Sequence, residues 1–314
     1  APLYDSSNEQ AAYWFIAEDG IRIRVAGSCS RKDQRGTILI FPGRTEYIEK
    51  YAPAVSFLAE RGFATLIIDW RGQGASDRIA ENHHTSHVGR FKDYQLDVSA
   101  MLTAANHMDL PKPFFLLGHS MGATIGLRAV HDGLPVESCA FTAALWDIHI
   151  SPIERVAAWP LSWLARAIGK GETFAPGNKA QETQCYVHSV PFEGNRLTSN
   201  REMFDFMVKQ AEDLPDLQIG APSLGWLIEA LQETRRLRSL PSPDIPCVAF
   251  CGTDDHVVDI NSIRSIAIGC ESDPLSIRRK IGVFFNGCST RYSFNISTVK
   301  ICYPNITAIA KDNI

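Results

Sequence analysis

Gly118-His119-Ser120-Met121-Gly122 is a G-x-S-x-G run set between two stretches of different periodicity. Phe114 to Leu117 is continuously apolar and reads as a buried strand, while Thr124 to Val130 reads as a helix. A serine at the apex of strand, sharp turn and helix is a nucleophile elbow, which lifts Oγ clear of the sheet to attack a carbonyl carbon. The flanking glycines have a physical task, because the turn is strained and neighbouring backbones pass close to it. A serine hydroxyl is a weak nucleophile by itself and needs a base, and the base needs an orienting carboxylate. Pro246 to Cys251 reads as a later strand that ends in Gly252-Thr253-Asp254-Asp255. Asp255 is therefore the candidate acid, with Asp254 in reserve.

Other reactive residue types lead nowhere catalytic. His83, His84 and His87 form an H-H-x-x-H run, but no acidic or cysteine partner has metal-ligand spacing and no helical period is present, so they read as solvated loop histidines. The eight cysteines make no zinc pattern, and Cys247 and Cys251 share one strand-like run. They read as buried thiols in a reducing compartment. Trp70-Arg71-Gly72-Gln73-Gly74 lacks the spacing of a phosphate cradle, and Asp69 before it is assigned a structural role.

The elements that must position these residues alternate. Tyr13 to Ala17 and Ile21 to Ala26 suggest a hairpin turned at Glu18-Asp19-Gly20, followed by a polar turn from Ser30 to Gly36. Thr37 to Phe41 and Ala64 to Asp69 read as buried strands, and Val136 to Thr142 as another. Glu49 to Arg61, Lys92 to Met108 and Leu224 to Leu237 read as helices. Strands alternating with helices imply a mostly parallel sheet covered on both faces. From Ile148 to about Ser223 the rhythm changes to helical and Pro/Gly-rich pieces carrying Trp159, Trp163, Phe192, Phe204 and Met207. These apolar residues either line an acyl site or pack a core of their own.

Composition bounds the function classes. The chain has 314 residues, 45% of them hydrophobic and 21% charged, which is ordinary globular composition with ample length for a large core. A formal net charge of −4 favours neither nucleic acid nor an anionic membrane surface. No apolar run reaches the roughly 18 residues of a spanning helix. Ala1-Pro2-Leu3-Tyr4-Asp5 has no signal-peptide pattern, so a cytoplasmic location is expected.

Five segments in order now carry a resemblance: Phe41-Pro42-Gly43-Arg44-Thr45-Glu46-Tyr47, Asp69-Trp70-Arg71-Gly72-Gln73-Gly74, Gly118-His119-Ser120-Met121-Gly122, Pro191-Phe192-Glu193-Gly194-Asn195 and Gly252-Thr253-Asp254-Asp255. Over residues 10 to 268 or so the chain resembles the monoacylglycerol lipase and bacterial lysophospholipase branch of α/β-hydrolases, the serine-aminopeptidase-like group. The resemblance implies an α/β-hydrolase fold with an inserted helical cap. It divides the chain into core (1–147), cap (148–223), core again (224–268) and an atypical tail (269–314). By position it makes Ser120 the nucleophile, Asp255 the acid, and the N–H groups of Arg44 and Met121 the oxyanion hole. It implies hydrolysis of carboxylic esters of lysophospholipids or monoacylglycerols, with no metal or organic cofactor. The implied partner is a small lipid or ester substrate, with peripheral membrane contact through the cap. In this branch an H-G precedes the first oxyanion residue, whereas Pro42-Gly43 stands here.

The larger departure is at the C-terminus. The family's histidine follows the acid by roughly thirty residues, yet no histidine follows His256. His256 adjoins the acid, and His119 sits inside the elbow, so neither is a natural substitute. Near Ile268 the chain changes character: Cys270, Cys288 and Cys302 crowd into it, basic residues such as Arg278, Arg279 and Lys280 dominate, and no family pattern remains. The tail reads as a replaced C-terminus, for example by a frameshift, with the last strand lost and a sheet edge exposed. Asn295-Ile296-Ser297 and Asn305-Ile306-Thr307 match the glycosylation pattern by chance in a cytosolic chain. Two alternatives therefore stand beside the ester hydrolase: a catalytically impaired or inactive hydrolase-fold protein, and a peptidase or small-ester hydrolase.

Overall fold

Gly20, at φ 87°, closes the expected hairpin. Its two strands, Gln10–Ile16 (β1) and Arg22–Ser28 (β2), pair antiparallel with Tyr13 opposite Val25. The computed structural model describes residues 10–28, 35–148, 152–176, 182–252, 255, 257–259, 261–263, 266 and 282–286. Thr37–Phe41 (β3) and Ala64–Asp69 (β4) are buried along their whole length, as parallel strands covered on both faces must be. Phe114–His119 (β5), Cys139–Thr142 (β6), Cys247–Gly252 (β7) and Gly282–Asn286 (β8) complete an eight-stranded sheet in the order β1-β2-β4-β3-β5-β6-β7-β8. From β4 to β8 every neighbouring pair is parallel.

The period of two along β3 sorts the core into two layers. Ile38 and Ile40 pack with Val55 and Leu58 of Ala52–Glu60 (α1) on one face. Leu39 and Phe41 face the other layer, with Met101 of Tyr94–His107 (α2), Ile125 of Met121–His131 (α3) and Trp226 of the later helix Leu224–Leu237. Each buried Leu, Ile or Phe contributes about 1.5–3 kcal/mol of transfer free energy. Between β6 and that later helix lie the helices Pro152–Ala167 (α4), Tyr186–Ser189 (α5) and Arg201–Asp213 (α6), after which Leu224–Leu237 is α7. The expected helical insertion is thus present. Phe204 and Met207 of α6 are buried, and the Phe192 and Phe204 rings meet edge to face at 5.5 Å. Asn195 folds its own turn, accepting at Oδ1 from the N–H groups of Leu197 and Thr198.

Several expectations shift. The helix read from Glu49 begins as a 3-10 turn, Ile48–Tyr51, and becomes α-helical only at Ala52, because Pro53 has no N–H and fits the first turn alone. The strand read from Val136 is shorter, since Val136 N–H donates to Leu134 at 2.8 Å in a tight turn. Helix α3 starts three residues earlier than its apolar pattern, directly after Ser120. The sheet edge expected to be bare beyond β7 is occupied by β8, with Phe250 opposite Phe284. The histidine loop differs too. His83 is exposed, but His87 is half-buried with Nδ1 2.7 Å from Ser223 Oγ, and burial lowers its pKa. The loop staples the segment that leads from the insertion into α7: Gly220 N–H donates to the His84 carbonyl and Ser223 N–H to the Ser86 carbonyl. Cys139, Cys185, Cys247 and Cys251 are buried and unbridged. The side chain of Trp159, the residues Asp254 and His256, most of the polar turn, both glycosylation patterns and Cys270, Cys288 and Cys302 lie outside the described residues.

Candidate active site

Parallel strands end on one edge of a sheet, and here the register aligns their C-terminal ends. Phe41 lies opposite Gly118, His119 opposite Thr142, and Thr142 opposite Phe250. The loops after β3, β5 and β7 therefore share one edge, where ligands of parallel sheets bind.

Ser120 stands at φ 50°, ψ −116°, an uncommon conformation for a residue with a Cβ. The fold over-determines it: its N–H donates to Thr142 at 2.9 Å, and its carbonyl accepts from Ala123 at 3.0 Å and Leu145 at 3.1 Å. A Cβ on Gly122 would overlap the Phe41 and Pro42 carbonyls, so this glycine lets the loop after β3 lie against the elbow. A Cβ on Gly118 would come within 2.9 Å of Ala123 Cα.

That loop is held by three polar contacts. The Trp70 indole donates to the Pro42 carbonyl at 2.9 Å, Gly43 N–H donates to Glu46 at 2.6 Å, and Thr45 N–H donates to Gln73 at 2.5 Å. Arg44 N–H, between them, donates to nothing among the described residues. Met121 N–H is the first of α3, one of the donors that a helix start leaves unsatisfied, and it too has no acceptor among the described residues. Two free N–H groups on adjoining backbones can receive one oxyanion.

Asp255 lies in the loop after β7, half-buried, with Oδ1 accepting from Val257 N–H at 2.8 Å and Val258 N–H at 3.1 Å. Only β6 separates β5 from β7, so at a strand spacing of about 4.8 Å the two loops lie roughly 10 Å apart. One imidazole spans such a gap. The strand that should precede it, β8, ends at Asn286 opposite Gly252. The residues that align with the family histidine by spacing, Gly282, Val283 and Phe284, are thus inside this strand, and the loop position falls after Asn286, outside the described residues.

His119 turns both ring nitrogens to other groups. Its Nδ1 is 2.8 Å from Thr142 Oγ1 and its Nε2 is 3.7 Å from Glu46. Burial lowers its pKa, opposed by Glu46. Asp69 is structural, as expected: fully buried, it accepts from Arg24, Ile48 N–H and Ala75 N–H, and Gly74 at φ 53° leaves room for its carboxylate.

Glu46 was missed by the sequence reading. It collects Gly43 N–H, the Tyr51 hydroxyl and the Lys50 ammonium. Burial opposes its charge, but Lys50, His119 and Tyr51 outweigh that and set its pKa at about 2. The available signal was a carboxylate three residues after the loop glycine, within bonding reach of that glycine's N–H.

Known proteins share this architecture. The model of the family described as serine aminopeptidase, S33, matches residues 32–278, ten residues into the segment read as atypical tail. The chain is 28% identical over 261 residues to lysophospholipase L2 of Escherichia coli K12, covering 82% of this chain and 74% of that protein. Among solved structures, monoglyceride lipase from Saccharomyces cerevisiae superposes with a TM-score of 0.64 at 17% identity, covering 93% of this chain and 89% of that one. A carboxyl esterase from Bacillus coagulans gives a TM-score of 0.68 at 14% identity, covering 90% and 91%.

Proposed function

The chain belongs to the serine aminopeptidase, S33, family with an α/β-hydrolase fold, and on that premise we propose that it is a serine hydrolase of lipid carboxylic esters, acting on lysophospholipids or monoacylglycerols. Ser120 Oγ attacks the ester carbonyl carbon, and the Arg44 and Met121 N–H groups receive the oxyanion. The alcohol leaves with a proton, an acyl-serine remains, and water releases the fatty acid. Asp255 is the carboxylate that would orient a base, although no histidine follows His256 to serve as one. The observation that carries this reading is the strained Ser120 beside two N–H groups with no acceptor among the described residues.

In this reading residues 148–223 cap a core formed by 1–147 and 224–268, with 269–314 as an atypical tail. One feature of the cap supports peripheral membrane contact. Val156, Trp163, Leu164 and Ile168 follow helical spacing and are 74%, 71%, 52% and 60% exposed, while Ala165 packs inward with Leu224. No helix among the described residues is long and apolar enough to cross a membrane. The four cysteines among the described residues are unbridged thiols, which supports a cytoplasmic location.

A second reading rests on the missing base. Residues 257–314 contain no histidine, and loss of a triad member costs on the order of 10⁴ to 10⁶ in turnover. The chain would then be a hydrolase-fold protein that binds esters and turns them over poorly. Hydrolysis of a short p-nitrophenyl ester and of a monoacylglycerol, beside Ser120→Ala, decides between them. Turnover lost on substitution supports the hydrolase; rates equal to those of Ser120→Ala support the impaired protein. A preference for long acyl chains separates a lipase from a peptidase or small-ester hydrolase.

A further inference from the structure

Buried arginines in this fold are neutralised by carboxylates. Arg24 pairs with Asp69 and Glu49, Arg71 with Asp19 and Asp97, and Arg128 with Glu233. Arg44 differs. Its guanidinium donates to the Gly220 carbonyl of the insertion at 3.0 Å and lies over the Trp226 ring, 5.5 Å from the centroid. No carboxylate pairs with it among the described residues. Burial accordingly pulls its pKa down to about 10, so it remains a cation at neutral pH.

Even partial desolvation of a charge without a carboxylate partner has a cost, and the position of this one matters. The Arg44 N–H is half of the proposed oxyanion hole. An arginine side chain sets its guanidinium about as far from its own N–H as a glycerol unit sets a phosphate from the ester carbonyl. Guanidinium matches phosphate oxygens with paired, charge-assisted hydrogen bonds. We infer that the Arg44 guanidinium is the headgroup subsite, taking the phosphodiester of a lysophospholipid while the acyl ester lies at Ser120. This rests on the hydrolase reading for its substrate class and selects the phosphate-bearing ester over the neutral monoacylglycerol. The remaining guanidinium nitrogens are the donors, with the Trp226 face and the Gly220 carbonyl fixing the fork.

The test uses binding of non-hydrolysable ethers, so that it does not depend on turnover. Dodecyl-glycero-phosphocholine and dodecyl-glycerol, both as 1-O-ethers below their micelle concentrations, are titrated against the full chain by calorimetry. The wild-type protein should bind the phosphate-bearing ether about tenfold or more tightly than the neutral one. Arg44→Met should remove that preference and leave dodecyl-glycerol affinity within about twofold, whereas Arg44→Lys should keep part of it. Equal affinities in the wild-type protein, no binding of either ether, or equal weakening of both by Arg44→Met overturns the assignment. Inorganic phosphate should bind more weakly than the phosphate-bearing ether; equal or tighter, Arg44-dependent phosphate binding would make this a free-anion site and overturn the lipid assignment. A preference that survives while Ser120-dependent hydrolysis is absent refutes the hydrolase reading alone.

Discussion

Glu46 is the buried carboxylate that holds the loop after β3, through the Gly43 N–H. A buried carboxylate ordinarily takes up a proton, but Lys50, His119 and Tyr51 keep this one charged, with its pKa lowered from 4.5 to about 2. A depressed carboxylate pKa contributes stability that is fully present above the unfolded value and is lost as the pH falls through the folded one. Glu46→Gln should therefore be less stable than the wild-type chain at pH 7, by on the order of 3 kcal/mol. The gap should close between pH 4.5 and about 2. Urea unfolding at pH 7, 4.5 and 3 measures it, and a gap independent of pH would remove Glu46's charge from the account. The same substitution would also loosen Gly43, so the variant's ester turnover reports how far the loop depends on that hydrogen bond.

Among the elements, α4 behaves least like part of a closed globule. Its inner face packs on α7, and its outer face presents Val156, Trp163 and Leu164 to solvent, with Ile168 exposed just past its end. Aromatic and aliphatic groups on one helix face favour the boundary between water and acyl chains. Trp163→Glu with Leu164→Ser should lower binding to phosphatidylcholine vesicles about tenfold or more. Hydrolysis of a soluble p-nitrophenyl ester should stay unchanged. Unaltered vesicle binding would refute a membrane contact through α4. The type of the long elements was legible in the sequence because apolar period and punctuation agreed, as in β3, β4 and α7. Boundaries drifted where a single backbone feature intervened, such as Pro53 in α1 and the turn at Val136 before β6.

At the scale of the molecule, β8 protects the β7 edge, which would otherwise offer unpaired N–H and C=O groups to other chains. Truncation after Ile281, which removes β8, should lower the melting temperature and raise aggregation more than truncation after Asn286, which keeps it, as read by thermal melts with light scattering. Equal behaviour of the two truncations would mean that β8 contributes little to closing the sheet. The sequence alone determined the elbow, the α/β class and the place of Asp255, because each depends on local pattern: a glycine-flanked serine, alternating periods, a carboxylate just past a strand. It also showed that no histidine follows His256, since the absence of a residue type needs no geometry. Only the tertiary structure decided which N–H groups are left without acceptors among the described residues, that Glu46 gathers Gly43, Lys50 and Tyr51 around a buried carboxylate, and that Arg44, unlike Arg24, Arg71 and Arg128, has no carboxylate partner among those residues. Those facts depend on which distant groups meet, Trp70 with Pro42, Gly220 with Arg44 and Thr142 with Ser120, and a one-dimensional pattern carries no information about such meetings.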